Sequence, residues 1–234
     1  MSGEAARRSP TADRILRAAA ELISLRGYSA TSTREIAAAV GVEQPALYKH
    51  FSSKKDILAA LVRLALERPL AVADELAAVR APAVVKLHRW LLETYEYVNR
   101  SPNVLAAIII TPELQHDDAF AAEQALVSKI EPVIVDLIRA GQDEGDVREL
   151  NPVSVARLIE AMFDAVTFPD LAVDPVEIVE FTLVALLADP ARLPKIRSAL
   201  MLWRSARNPH IFLDERGCGG RRYLMVTGPK LFWA

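Results

Sequence analysis

Apolar residues recur at three- and four-residue spacing through most of this chain, and alternating strand-like runs are not seen. That period lays an apolar stripe along one side of a helix. Ile15, Leu16, Ala19, Leu22 and Ile23 form the first stripe. It predicts a helix from Thr11, as its cap, to Arg26, with Asp13 in the first turn and Gly27 as the stop. Tyr28 then enters a short loop and packs in a small core. Ser32 and Glu35 have capping-box spacing, so a second helix opens there, buries Ile36, Ala37 and Val40, and closes at Gly41. A third begins near Glu43, with Pro45 in its first turn, where a missing N–H costs little, and buries Leu47 and Phe51. Ser53, with Asp56 three residues on, caps a fourth, and its apolar residues carry it to about Arg68, before Pro69.

The pattern stays helical beyond Leu70. Pro82 to Asn99 reads as a helix, and Pro102 opens a short one through Ile110, broken at Pro112. Asp117 to Ala140 reads as a long helix that Pro132 should kink or split. Gly141 to Leu150 reads as a polar loop. Asn151–Pro152 and Asp174–Pro175 are cap-plus-proline starts, for helices to about Phe168 and Leu187. A last helix is expected at Leu193–Arg207. The fold class is all-α, with a small N-terminal head and a helical bundle behind it.

Composition sharpens this outline. The 234 residues suit one large or two small domains, and 52% hydrophobic content with only 23 Pro and Gly argues for a packed core. The formal net charge of -2 is unevenly placed. Residues 1–65 carry 10 basic against 6 acidic residues, and the remainder 18 against 24. A basic head on an acidic body suggests that the head meets a polyanion. Cys218 is alone and fits a reduced, intracellular protein. The N-terminal stretch is polar, and the apolar run Val104–Ile110 is too short to span a bilayer, so a cytoplasmic location is expected.

Two helices joined by a short glycine-containing turn are a helix-turn-helix arrangement. Gln44, Ala46, Tyr48, Lys49 and His50 surround the outer face of the third helix. Such residues on a short helix are commonly just a solvated face; capping, glycine placement and positive charge together favour contact with DNA. Over residues 11–66, the segments ILRAAAELISLRGYSATSTREIAAAVGV and ALYKHFSSKKDIL resemble the DNA-binding domain of the TetR family of transcriptional repressors.

That resemblance implies several roles. Thr33 contacts a phosphate, and Arg34 is a candidate for a guanine edge. Gln44 suits bidentate contact with adenine, while Pro45 and Ala46 suit apolar contact with a thymine methyl or sugar. Tyr48 and His50 bind phosphates, as does Lys54 at the positive end of its helix, and Lys49 touches a phosphate or a base. A short reading helix is expected to work as a homodimer on a two-fold operator. The family pairs its last two long helices, which points to Ala161, Ala165, Phe181, Val184 and Ala185 as seam residues, although these also suit an internal core. A small apolar or amphipathic effector is expected in the body, with Trp90, Tyr95, Phe120, Met162, Phe163 and Phe168 as candidate lining, although such residues are more often ordinary core.

The expected organisation is an arm at 1–10, a helix-turn-helix domain at 11–68, a ligand-binding and dimerisation domain at 69–208, and an atypical tail at 209–234. The tail holds four of the nine glycines and has no evident role. His88, His116 and the Asp117–Asp118 pair are too sparse for a metal site, and no cofactor is expected. No GxSxG, HExxH or P-loop is found, so an enzyme is disfavoured. The remaining alternative is a DNA-binding regulator that is constitutive or governed by a protein partner.

Overall fold

A computed structural model describes residues 8–101, 103–104, 108, 111–165 and 173–199, with side chains at 164 and 165 excluded. The arm's first seven residues, the tail, and the seam and lining candidates Ala165 and Phe168 lie outside this description, as does most of the 102–110 helix. The described residues form helices α1 (Pro10–Arg26), α2 (Thr33–Val40), α3 (Gln44–Tyr48), α4 (Lys54–Ala77) and α5 (Ala83–Asn99). There follow α6 (Glu113–His116), a 3-10 turn at Asp118–Phe120, α7 (Ala121–Val127), α8 (Ile130–Asp143), α9 (Pro152–Ala165) and α10 (Pro175–Leu186). Among them there is no strand, only one isolated antiparallel bridge between Val147 and Leu187.

Two apolar cores organise the chain. Ile15, Leu16 and Ile23 of α1 meet Ile36 and Val40 of α2, Leu47 of α3 and Ile57, Leu58, Leu61 and Val62 of α4. The second core joins Val72 and Leu76 of α4 to Leu87, Trp90, Leu91 and Tyr95 of α5, Ile134 and Ile138 of α8, and Val179 and Leu183 of α10. One helix therefore serves both cores, its first half in the head and its second half in the body.

This differs from the expected stop before Pro69. Proline has no N–H to give the carbonyl four residues back. Yet α4 runs through Pro69, because Ala65, Pro69, Val72 and Leu76 are all buried on one face. The indole N–H of Trp90 also donates to the Pro69 carbonyl at 2.9 Å.

Smaller differences have local causes. Ser9, not Thr11, caps α1, because Pro10 already occupies the first helical position and Ser9 Oγ accepts from the Ala12 N–H. The expected long helix divides at Ser128–Lys129, which leaves Pro132 in the first turn of α8. Nor is 141–150 simply a polar loop. α8 continues through Gly141, which is buried, and Asp146 is buried against Arg192.

Candidate nucleic-acid interface

The capping box of α2 is formed as its spacing requires. Ser32 Oγ accepts from the Glu35 N–H at 3.2 Å, and Glu35 Oε2 accepts from the Ser32 N–H at 2.8 Å. Hydrogen bonds from the Ser32 side chain and backbone hold the Glu35 carboxyl below its ordinary value. Gly41 has φ 74° and ψ 35°, the left-handed conformation that turns the chain from α2 into α3. Its N–H bonds back to Ala38. Arg14 fastens this turn to α1 by donating to the Val40 carbonyl at 2.5 Å. Leu47 is fully buried, which fixes the rotation of α3 and leaves Pro45, Tyr48, Lys49 and His50 exposed.

On that outer surface three polar side chains converge. Gln44 Nε2 donates to Thr33 Oγ1 at 3.0 Å and to the Tyr48 hydroxyl at 3.2 Å. The two hydroxyls lie 3.2 Å from each other. Thus the start of α2 and the whole of α3 share one polar triangle. Arg34 is exposed beside it and, with Gln44 and Glu43, lines a shallow concavity of about 470 Å³ next to the Gly41 turn. His50 Nδ1 is 3.4 Å from Ser9 Oγ, so the entry to α1 meets the end of α3.

Lys54 is not gathered with this group. Its Nζ donates to the carbonyls of Tyr28 and Thr31, each at 2.9 Å, and lies 4.2 Å above the Tyr28 ring. Burial, with Glu113 and Asp117 nearby, pushes the Tyr28 hydroxyl up to about 12, so the ring under Lys54 stays neutral. The ammonium closes the loop between α1 and α2 instead of standing on the outer face with Tyr48.

Behind the head, a second set of polar contacts ties α4 and the loop after α1 to the segment after α5. Lys55 meets Asp117 at 2.5 Å, Arg63 meets Glu123 at 2.5 Å, and Ser29 donates to Glu113. Phe120 lies in the head core, not among the other expected lining residues. The turn that carries it is held on α4 by these pairs. Trp90, Tyr95 and Phe163 do come together in the body. Phe163 stacks on Tyr95 with centroids 3.9 Å apart and stands edge-on to Trp90 at 6.1 Å. Met162 is half-buried against the same core.

Residues 15–61 match the family model described as bacterial regulatory proteins, tetR family. These residues carry a TetR-type DNA-binding head. The chain is a DNA-binding transcriptional regulator, and its relatives are regulators, not enzymes. Over 158 residues it is 27% identical to the HTH-type transcriptional repressor KstR2 of Rhodococcus jostii (strain RHA1), covering 66% of this chain and 74% of that protein. It superposes on Mycobacterium smegmatis AmtR with a TM-score of 0.71 at 28% identity, covering 86% of this chain and 98% of AmtR. A structure of AibR in complex with isovaleryl coenzyme A and operator DNA shares the fold, with a TM-score of 0.60 at 23% identity, covering 77% and 98% of the two chains.

In the body, α9 and α10 present an apolar outer surface. Phe181 is 71% exposed and Val184 45%, with Ala161 and Ala185 also exposed. Leu158, 66% exposed, belongs with them and escaped the sequence reading. Its position three residues before Ala161 was the available signal. Among the described residues no helix is long and apolar enough to cross a membrane, and no three metal-ligating side chains cluster.

Proposed function

We propose that this chain is a homodimeric repressor that binds a palindromic operator through α2 and α3 and leaves it when a small apolar or amphipathic ligand enters the body. The observation that carries the reading is the polar triangle of Thr33, Gln44 and Tyr48 on the outer face of the helix-turn-helix. It combines hydroxyls suited to phosphates with an amide suited to a base edge, flanked by Arg34, Pro45, Ala46, Lys49 and His50. Lys54 supports the face from behind by tying down the loop that precedes α2.

The exposed apolar surface of α9 and α10 supports pairing of two copies, which multiplies the few base pairs one short helix can read. The head, residues 11–68, and the body, residues 69–208, share α4, so a change in body packing acts directly on the spacing of the heads. A ligand acts only if it binds the DNA-incompetent arrangement better. Trp90, Tyr95, Met162 and Phe163 are the lining proposed for it. That AibR has been seen with both an acyl thioester of coenzyme A and operator DNA supports this division of labour in the shared fold. The contact between the Phe163 and Tyr95 rings favours, as a second reading, a regulator without a small-molecule effector.

The test is selection of bound duplexes from a random pool at moderate salt, followed by release assays with acyl thioesters and other amphipaths. A palindromic consensus is expected. Absence of any preference over random duplex rejects the reading, and a selective complex that no such molecule disturbs favours the effector-free regulator.

A further inference from the structure

The resemblance to the TetR family implies phosphate contacts for Tyr48 and Thr33 and a two-pronged contact with adenine for Gln44. The geometry joins these assignments. We infer that Thr33 and Tyr48 are positioning residues for Gln44 and turn it into an acceptor-only reader of a base amino group. The inference rests on the DNA-contacting face proposed above.

Gln44 Nε2 carries two hydrogens, and two hydroxyl oxygens stand at 3.0 and 3.2 Å from it. Each hydroxyl has one hydrogen and two lone pairs. In the free protein one hydroxyl donates to the other across 3.2 Å. On DNA each hydroxyl hydrogen goes to a phosphate oxygen, because a phosphate offers only acceptors. Both hydroxyls then have only lone pairs to give Gln44, and these accept the two Nε2 hydrogens. One amide orientation alone satisfies phosphate and glutamine together.

That orientation spends both amide hydrogens inside the protein. Oε1 is the polar atom left for the groove. An acceptor pairs with adenine N6 or cytosine N4, and is refused by the acceptors of guanine and by thymine O4. Adenine N7 needs a donor, which Gln44 no longer has. The two hydroxyls thus acquire a share of sequence choice that a phosphate contact alone does not carry.

The experiment uses the full chain. Selection with wild type and Gln44→Ala locates the base pair whose preference the alanine relaxes. The amino group of that pair, adenine N6 or cytosine N4, is the expected contact, and removing it should weaken binding as much as Gln44→Ala does. If adenine, replacing it with 7-deazaadenine, which lacks N7, should change affinity by less than about twofold, because N7 is not contacted. Tyr48→Phe and Thr33→Val should each reduce the preference at that same position by roughly three- to tenfold, besides weakening binding, while Thr33→Ser retains it. Circular dichroism of each variant monitors folding.

Unchanged affinity when that amino group is removed, with purine in place of adenine or 2-pyrimidinone in place of cytosine, overturns the inference. So does a loss beyond tenfold with 7-deazaadenine, or even weakening of all sequences by Tyr48→Phe and Thr33→Val. Failure of wild type to select any duplex is a separate result, because it removes the DNA-binding face itself and the inference with it.

Discussion

The Trp90 indole donates to the Pro69 carbonyl, joining α5 to α4 at the proline inside α4, which has no N–H to donate back into its own helix. Trp90 is fully buried. Trp90→Phe removes this bond and leaves a partial void. We expect a loss of about 2 kcal/mol and a fall of roughly 4–8 °C in the thermal midpoint at fixed protein concentration. An unchanged melt would mean that the bond does not brace the helix.

Two glycines are required for different reasons. Gly41 has φ 74° and open space where a Cβ would stand, so Gly41→Ala should cost about 1–2 kcal/mol through backbone conformation alone. Gly141 has an ordinary backbone, but a Cβ there would stand 2.6 Å from Val147 Cγ2. Gly141→Ala should therefore be rescued by Val147→Ala, and no shortening of a neighbour should rescue Gly41→Ala. Urea unfolding of the single and double variants separates the two cases.

Arg68 and Glu75 of α4 face Arg89 and Glu93 of α5 in a closed set of ion pairs. Burial opposes the charge on Glu93, but hydrogen bonds from Arg89 and Arg68 outweigh it and hold the carboxyl below its ordinary 4.5. A depressed folded-state pKa contributes stability above the unfolded value and loses it as pH falls through the folded value. Stability should thus decline as pH drops below about 4.5. Glu93→Gln should lower stability at pH 7 by an amount on the order of 2 kcal/mol and flatten that acid limb. Urea midpoints between about pH 3 and 7 check both parts.

Phe120 is buried in the head core with Leu114, although it stands far along the chain from α1. Phe120→Ala should cost about 3–5 kcal/mol and weaken operator binding through the head. If it instead changed only the response to an effector, its place in the head core would lack consequence.

Phe181→Asp places a charge on the exposed surface of α10, where no core contact of the single chain is lost. Circular dichroism should stay unchanged while sedimentation shifts from dimer to monomer and operator affinity drops at least tenfold. A dimer that persists would move the seam elsewhere.

Much of the head could be read directly because its signals are local. Ser32 with Glu35, Gly41, Pro45 and Ser53 act within four residues of themselves, so spacing alone locates α2, the turn, α3 and the start of α4. The end of α4 is not legible in the sequence, for the opposite reason. Pro69 is a local stop signal, overridden by burial of Ala65, Val72 and Leu76 and by a side chain on another helix. Phe120 was misplaced likewise, since nothing near it in sequence says that Asp117, Glu113 and Glu123 bind the head.

The chain's own order of residues determined an all-helical protein, a basic front, and a glycine turn between two short helices, because periodicity, capping and charge are properties of neighbours. Tertiary structure alone decided that Gln44 is held by Thr33 and Tyr48, that Lys54 turns inward, and that one helix carries two cores. Those outcomes depend on distances between segments far apart in the sequence, which packing sets and spacing does not encode.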